Sequence, residues 1–293
     1  MDIESKKFLG QPKNFVSIFN ALLFDGKQVL KPEYLKDENS ELVMNVSSKH
    51  VDIIKRYEDG TYLDLFVIES QSYVDPSMVA RVMEYESVAR MRYIRQNFKK
   101  HVPMHTRLPM ILTVVLYVGE TKWNAAKRLS ELEIIHPGFE NMFNEFKLNL
   151  IELNTNHKYN TGEKATQDFF DLLRMIYRKQ ILKEDLDREF NRDALYFAYV
   201  VTKNKELLNI YQESEKGDVK VCRALDEMFE ESTNKGIQMG IKQGIEQGIE
   251  RGVKNTQIKI AIKMLVRNDQ TLEEISEIVG LDLDALRELK KSI

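Results

Sequence analysis

The sequence has few of the features that define secreted, membrane or nucleotide-binding proteins. Its single cysteine, Cys222, has no disulfide partner and no CxxC partner, so a reducing cytoplasm is the expected location. No run of about 18 apolar residues is present to span a membrane, and the first residues lack the apolar region of a signal peptide. Glycine motifs of the GxxxxGK[ST] and GxGxxG types are absent, which argues against a phosphate-binding loop or a dinucleotide site.

The chain also has little net charge. Its 43 Lys and Arg residues are offset by 46 Asp and Glu residues, a formal net charge of −3. Any contact with nucleic acid must therefore come from a local basic patch rather than from the charge of the whole molecule. With 43% hydrophobic residues in 293, the chain has enough apolar side chains for one large or two modest domains.

Apolar periodicity predicts a mixed α/β region followed by a helical half. In the first part, helices are expected at residues 14–24 and 77–98, and strands at 42–46, 51–57, 62–68, 110–117 and 148–153. Asp59-Gly60 predicts a hairpin turn between the second and third of these strands. In the second part, helices are expected at residues 166–182, 185–215, 219–255 and 257–267, with two short helices after Thr271. The polar segment 155–165 is the expected boundary.

The two strands joined by this hairpin carry the most informative side chains. Asp52 comes about eight residues before the turn and Glu69 about nine after it, so the two acids can lie side by side. Because side chains alternate along a strand, Glu69 and Gln71 share one face and Ser70 takes the other. Two carboxylates and the Ser70 carbonyl are oxygen ligands of the kind that Mg²⁺ prefers. The alternative is that Asp52 and Glu69 are ordinary charges at strand ends.

The segment IESQS, followed by DPSMVARVMEY, resembles the Rpn-type recombination-promoting nucleases, also called PD-(D/E)XK family transposases. Those proteins have an acidic E-x-Q-S at the end of a strand, followed by a helix with a Met and an Arg-(x)3-Tyr pair. The corresponding residues are Met78, Arg81 and Tyr85. The segments FVSIFNALLFDGKQVL and ILTVVLYVGETKW are similar to the flanking segments of that family.

The resemblance implies a restriction-endonuclease-like PD-(D/E)XK core, with a mixed sheet flanked by helices, before an all-helical C-terminal half. It implies Asp52 and Glu69 as ligands of Mg²⁺ or Mn²⁺, with Gln71 in the position of the superfamily lysine. A glutamine cannot stabilise negative charge as a lysine does, so the activity is expected to be modest. The superfamily also has an acid on its first helix, and Asp25 is our prediction for it.

Basic residues supply two candidate contacts with DNA. Arg81 and Tyr85 share a helix face, so Arg81 either reaches toward the site or a phosphate or packs on Tyr85. Between residues 90 and 107 there are six basic residues and no acid, and Arg92, Arg95 and Lys99 fall on one helix face. This face either contacts phosphates or is simply solvated. A zinc pair at His101 and His105 is not expected, because Pro103 breaks the helix between them.

Glycine recurs at every fourth position of residues 236–252, and each glycine precedes an isoleucine or valine. A glycine inside a helix costs about 1 kcal/mol relative to alanine, so the repeat suggests a close helix–helix contact. Self-association through this ridge is our hypothesis, and a flexible connector is the alternative. The segment after Thr271 has a helix-turn-helix outline, but the acids Asp282, Asp284 and Glu288 on its second helix favour protein packing over DNA recognition.

Together these inferences predict a cytoplasmic, Mg²⁺-dependent DNA endonuclease that promotes recombination or transposition by making breaks. The expected divisions are a nuclease-like domain at residues 1–160, a helical extension at 161–232 and a glycine-repeat helix with a small helical module at 233–293. The alternatives are a catalytically weak or inactive DNA-binding or assembly protein, and a nuclease directed at RNA or single strands. DNA, and a second copy of the chain through residues 236–252, are the expected partners.

Overall fold

A computed structural model describes residues 3–38, 53–60, 63–98, 101–181, 183–214 and 217–293. The chain divides into two compact units, Met1–Asp226 and Glu227–Ile293. The threefold division expected from the sequence stays a prediction. In the part of the chain that the structure describes, no helix combines the length and apolar character needed to cross a membrane.

The first unit contains a five-stranded mixed sheet with the strand order β1-β2-β3-β4-β5. Strands β1, β2 and β3 pair antiparallel, whereas β3, β4 and β5 pair parallel. The strands are β1 (Leu35–Asp37), β2 (Ile53–Glu58), β3 (Leu63–Gln71), β4 (Ile111–Tyr117) and β5 (Asn149–Glu152).

The mixed sheet with helices and the helical C-terminal part confirm the coarse fold prediction. The predicted strand at residues 42–46 and the first two residues of the one at 51–57 lie outside the described residues.

Helices α2 (Pro12–Phe24) and α3 (Met78–Asn97) cover the two faces of the sheet. The first unit also contains helices α1 (Ile3–Leu9) and α4 (Lys164–Arg178), and each of them contacts α2. Helix α3 packs with Tyr85 and Ala89 against Leu65 and Val67 of β3. On the opposite face, α2 stacks Phe19 on Phe66 of β3, with 4.8 Å between the ring centroids. Alternation of apolar residues along 51–57 predicts a strand buried on one face only. This prediction is wrong at the start of β2, where residues 53–55 are all buried.

The rest of the first unit differs from the predicted helix at residues 185–215. It contains β6 (Glu189–Phe190), α5 (Arg192–Thr202), α6 (Lys205–Glu213) and β7 (Val219–Lys220). The break has a local cause, because Asn191 and Asn204 cap α5 and α6 by accepting hydrogen bonds from backbone N–H groups. Strands β6 and β7 pair antiparallel.

The predicted helices at residues 219–255 and 257–267 form one helix, α7 (Cys222–Arg267). It is continuous through Thr256, whose hydroxyl donates to the Gly252 carbonyl (2.8 Å) and so does not compete with the helix. Two short helices follow, α8 (Leu272–Val279) and α9 (Leu283–Lys291). In the second unit, Leu265 of α7, Ile275 of α8 and Leu286 of α9 share a small apolar core, in line with the packing role expected for this segment.

Candidate functional site

The candidate site lies at the carboxyl end of β3. Parallel strands β3 and β4 are in register with Glu69 beside Val115 and Gln71 beside Tyr117. Because side chains alternate along a strand, Glu69 and Gln71 share the face that α3 covers, as the sequence predicts. Both are almost fully buried, with 3% and 5% of their surface exposed. Ligand sites of open α/β sheets are common at this end of the strands.

Glu69 forms an ion pair with Arg81 of α3. The Arg81 Nη2 donates to Glu69 Oε1 at 3.0 Å, and the Nη1 donates to Asp75 Oδ2 at 2.6 Å. The Tyr85 hydroxyl, one helical turn beyond Arg81, accepts from the Arg81 Nε at 3.1 Å and from the Nη2 at 2.8 Å. One guanidinium therefore binds two buried carboxylates and a phenol.

The charges of this cluster are mutually stabilising. Burial alone would raise the pKa of the Asp75 carboxyl, but hydrogen bonds from Ser77 and Arg81 and the charge of Arg81 hold it below its usual value. Burial alone would lower the pKa of the Arg81 guanidinium, but Tyr85, Asp75 and Glu69 raise it. The carboxylate of Asp75 and the guanidinium therefore stay charged at neutral pH.

Asp75 also belongs to the site, although the sequence pattern did not single it out. Its Oδ1 accepts from the Ser77 backbone N–H at 2.9 Å and from the Ser77 hydroxyl at 2.7 Å, just before α3 begins. This leaves Oδ2 directed at Arg81. The sequence signal was Asp75-Pro76-Ser77, a typical turn at a helix start, six residues before an arginine. The turn suggests a structural role and gives no hint of the second contact.

Gln71 has a buried amide nitrogen, Nε2, for which the described residues provide no hydrogen-bond partner. A buried donor without an acceptor is costly, about 1–3 kcal/mol. An oxygen atom of a water or ligand at the carboxyl end of the strand would satisfy this donor.

A third acid at this edge, Glu152 of β5, is already engaged. It lies in the same row as Gln71 and Tyr117 and is 6% exposed. Its Oε1 accepts from the Trp123 backbone N–H at 2.7 Å, and its Oε2 accepts from the Lys127 Nζ at 3.3 Å. Glu152 therefore fixes the segment after β4 to β5. Its contacts were not predictable from the sequence, because Trp123 and Lys127 are far from it in the chain.

Asp52 and Lys99 lie outside the described residues. The residue after Asp52, Ile53, pairs with Ile68, the residue before Glu69. Within the described ranges, no group of three or more His, Cys, Asp or Glu residues could hold a metal ion. The absence of a zinc pair at His101 and His105 stays a prediction.

Asp25 is at the end of α2 and Glu69 is on β3, and the packing of these two elements does not bring the two acids together. Asp25 is exposed and ends α2 in a left-handed conformation (φ 52°). Its backbone carbonyl accepts from the Asn160 side chain at 3.2 Å. Helix α2 packs on the Phe66 face of β3, whereas alternation places Glu69 on the other face. A ligand role for Asp25 stays a prediction, and the packing of α2 does not favour it.

The basic residues of α3 differ in their surroundings. Arg95 is exposed and Arg92 is half-buried, both in the last two turns of the helix. Arg90 forms an ion pair with Glu86 at 2.8 Å, and Arg81 is committed to the acids of the site. DNA contact stays a prediction for Arg81, Arg92, Arg95 and Lys99. Arg81 would have to give up an ion pair within the protein to make such a contact.

Comparison with known proteins identifies a family for this chain. The model of the family described as "Putative transposase, YhgA-like" matches residues 6–207, more than half of the chain. The match confirms the resemblance to the Rpn-type PD-(D/E)XK transposases that IESQS and DPSMVARVMEY suggest. No curated protein and no solved structure matches the chain.

Proposed function

The chain belongs to the YhgA-like transposase family, and from this premise we propose that it is a metal-dependent DNA endonuclease with a PD-(D/E)XK core. The observation that supports this most is the buried pair Glu69 and Gln71 at the carboxyl end of β3. The order of helices and strands around them fits such a core. We further propose a cytoplasmic location, which the single cysteine supports.

The residues suit a hard divalent cation. Asp52 and Glu69 would hold Mg²⁺ or Mn²⁺ through carboxylate oxygens, since these are the ligands such ions prefer. When bound, the ion would lower the pKa of a bound water and stabilise the charge of the phosphodiester during attack. The pairing of Ile53 with Ile68 supports the choice of Asp52, because Asp52 precedes Ile53 in the chain and Glu69 follows Ile68.

Gln71 would position the reacting groups. Its Nε2, buried without a partner among the described residues, would donate to a phosphate oxygen or to the attacking water. As a neutral donor it would orient that oxygen without neutralising its charge, so the rate would be lower than with a lysine at this position. DNA would be retained by phosphate contacts of Arg92, Arg95 and Lys99.

A second candidate is a nuclease-fold protein that binds DNA without cutting it. The ion pair between Arg81 and Glu69 favours this candidate, since it already neutralises the one described acid of the proposed metal pair. Under either function, the helix with the glycine repeat would join two copies of the chain.

A cleavage assay on the full-length protein separates these functions. Supercoiled plasmid, a linear duplex, single-stranded DNA and RNA would be incubated with Mg²⁺, Mn²⁺ or EDTA. The proposed function predicts nicking of the plasmid with either cation and none with EDTA. Plasmid binding without nicking would support the second candidate, and cutting of RNA or single strands alone would contradict a duplex endonuclease.

A further inference from the structure

The positive charge that pairs with Glu69 in the structure is the Arg81 guanidinium. The guanidinium lies 3.0 Å from Glu69 Oε1 and 2.6 Å from Asp75 Oδ2, and its side chain is 14% exposed. Opposite charges this close interact strongly when water is largely excluded. A divalent cation at Glu69, which our proposed function requires, would be attracted by the carboxylate and repelled by the guanidinium. The two cations therefore compete for Glu69.

Asp75 offers Arg81 a second carboxylate that is already oriented. The Ser77 backbone N–H and hydroxyl fix its Oδ1, and its Oδ2 makes the shorter of the two ion pairs with Arg81. The Tyr85 hydroxyl accepts from two of the three Arg81 nitrogens. If Arg81 released Glu69, Asp75 and Tyr85 would still satisfy most of its donors.

We propose that Asp75 is a positioning residue of the site, which keeps Arg81 bound beside β3 when Glu69 exchanges the guanidinium for a divalent cation. The exchange frees one N–H of the Arg81 Nη2, the group that now donates to Glu69. That N–H then points into the site, where a phosphate oxygen of the substrate accepts it. Arg81 thus neutralises Glu69 before metal binding and contacts phosphate after it.

The test measures metal affinity rather than cleavage. Binding of Mn²⁺ to the full-length protein would be followed by titration calorimetry, with electron paramagnetic resonance of the free ion as a second readout. Four single variants are compared with wild type: Glu69→Gln, Asp75→Asn, Arg81→Gln and Glu86→Gln. Glu86→Gln is the matched control, since Glu86 is a buried acid of α3 that is paired with Arg90 and contacts the Thr113 backbone.

Removal of the Arg81 guanidinium should tighten Mn²⁺ binding, and removal of the Asp75 carboxylate should weaken Mn²⁺ binding. We expect Arg81→Gln to lower the Mn²⁺ Kd about fivefold or more, and Asp75→Asn to raise it about threefold or more. In the Arg81→Gln background, Asp75→Asn should change Kd less than about twofold, because Asp75 acts through Arg81. Asp75→Glu keeps the carboxylate and should retain much of the Mn²⁺ affinity that Asp75→Asn loses. An equal effect of Asp75→Asn in both backgrounds would mean a direct effect of its charge and would overturn the proposal.

Wild-type protein provides a measurement that does not depend on the folding of Arg81→Gln. The Nε–H resonance of Arg81, assigned by its loss in Arg81→Lys, should shift on titration with Mg²⁺ and should not shift in Glu69→Gln. A resonance that stays fixed while Mg²⁺ saturates the site would overturn the exchange.

The two proposals fail in different ways. If wild type binds no Mn²⁺, or if Glu69→Gln binds it as wild type does, both the metal site and the exchange are wrong. If wild type binds Mn²⁺ through Glu69 but Asp75→Asn and Arg81→Gln leave the affinity unchanged, the exchange alone is wrong.

Discussion

Asp75 makes the stability of the protein depend on pH at the scale of one residue. Its folded-state pKa is held below the usual value of 3.8, so the unfolded chain binds this proton more tightly than the folded one. The contribution is therefore fully present above the unfolded pKa and is lost as the pH falls through the folded value. Urea unfolding at a series of pH values measures it.

We expect Asp75→Asn to reduce the free energy of unfolding by about 1–3 kcal/mol at pH 7, because it breaks a hydrogen bond to a charged group. The difference from wild type should shrink as the pH falls below about 4. Glu58→Gln is a suitable control, since Glu58 pairs with Lys36 at an exposed position, where such a pair contributes little. A difference between Asp75→Asn and wild type that persists unchanged in acid would contradict this account.

Residue-scale features were predictable where the information was local. Alternation along β3 was sufficient to place Glu69 and Gln71 on one face. The partners of Glu69 were not predictable in the same way. The i,i+4 spacing of Arg81 and Tyr85 indicated their contact, but the choice of Glu69 and Asp75 as acids for Arg81 depends on how α3 packs on β3.

The glycine repeat of α7 allows a test at the scale of one element. A Cβ added at any of its five glycines would meet no atom of the described chain within 4 Å, apart from its chain neighbours and the adjacent backbone of the same helix. The apolar residues that follow them are more than half exposed, namely Ile237, Ile241, Ile245, Ile249 and Val253. Without a partner, Gly244→Ala and Gly248→Ala would each stabilise the helix by about 1 kcal/mol.

If a second copy packs on this ridge, the same substitutions have an opposite effect on association. We expect the Gly244→Ala/Gly248→Ala pair to weaken dimerisation about tenfold or more, because each Cβ separates the two helices. Sedimentation equilibrium measures this, with Gln243→Ala/Gln247→Ala as the matched control on the same turns. A monomeric wild type, or a dimer that is insensitive to both pairs, would refute self-association through the ridge.

Element boundaries were predictable where apolar periodicity was strong, as in α2, α3 and β4. They were not predictable between residues 185 and 220. There the polar residues Asn191 and Asn204 end one pattern and cap the next helix, and strands of two residues carry too little periodicity to detect. Burial of β2 on both faces was missed because Lys55 interrupts its apolar pattern, although its ammonium pairs with Asp37 at 2.6 Å.

For the whole molecule, the balance of charge predicts how DNA binding depends on salt. With a net charge of −3, any affinity must come from a few local phosphate contacts. We expect neutralising Arg92 and Arg95 together to reduce the slope of log K against log salt by about 1–2. Fluorescence anisotropy with a labelled duplex measures this slope. Arg287→Gln is the control, because Arg287 lies in the second unit and pairs with Asp284. An unchanged slope would place the phosphate contacts elsewhere.

The architecture of the whole molecule was predictable in outline, since the order of apolar patterns gives the mixed sheet and the helical C-terminal part. Its division into compact units could not be derived in the same way. The first unit ends at Asp226 and the second begins at Glu227, inside α7, and no change of composition marks that point.

The central claim is that Glu69 belongs to a metal site that cuts DNA. The rate of plasmid nicking with Mn²⁺, compared between Glu69→Gln and Glu58→Gln, tests it most directly, with thermal unfolding to verify that both variants fold. Both substitutions neutralise an acid on neighbouring strands of the same sheet, but Glu58 forms an exposed pair with Lys36. We predict a loss of about 10²-fold or more for Glu69→Gln and a rate close to wild type for Glu58→Gln. Nicking by folded Glu69→Gln at the wild-type rate would contradict the claim.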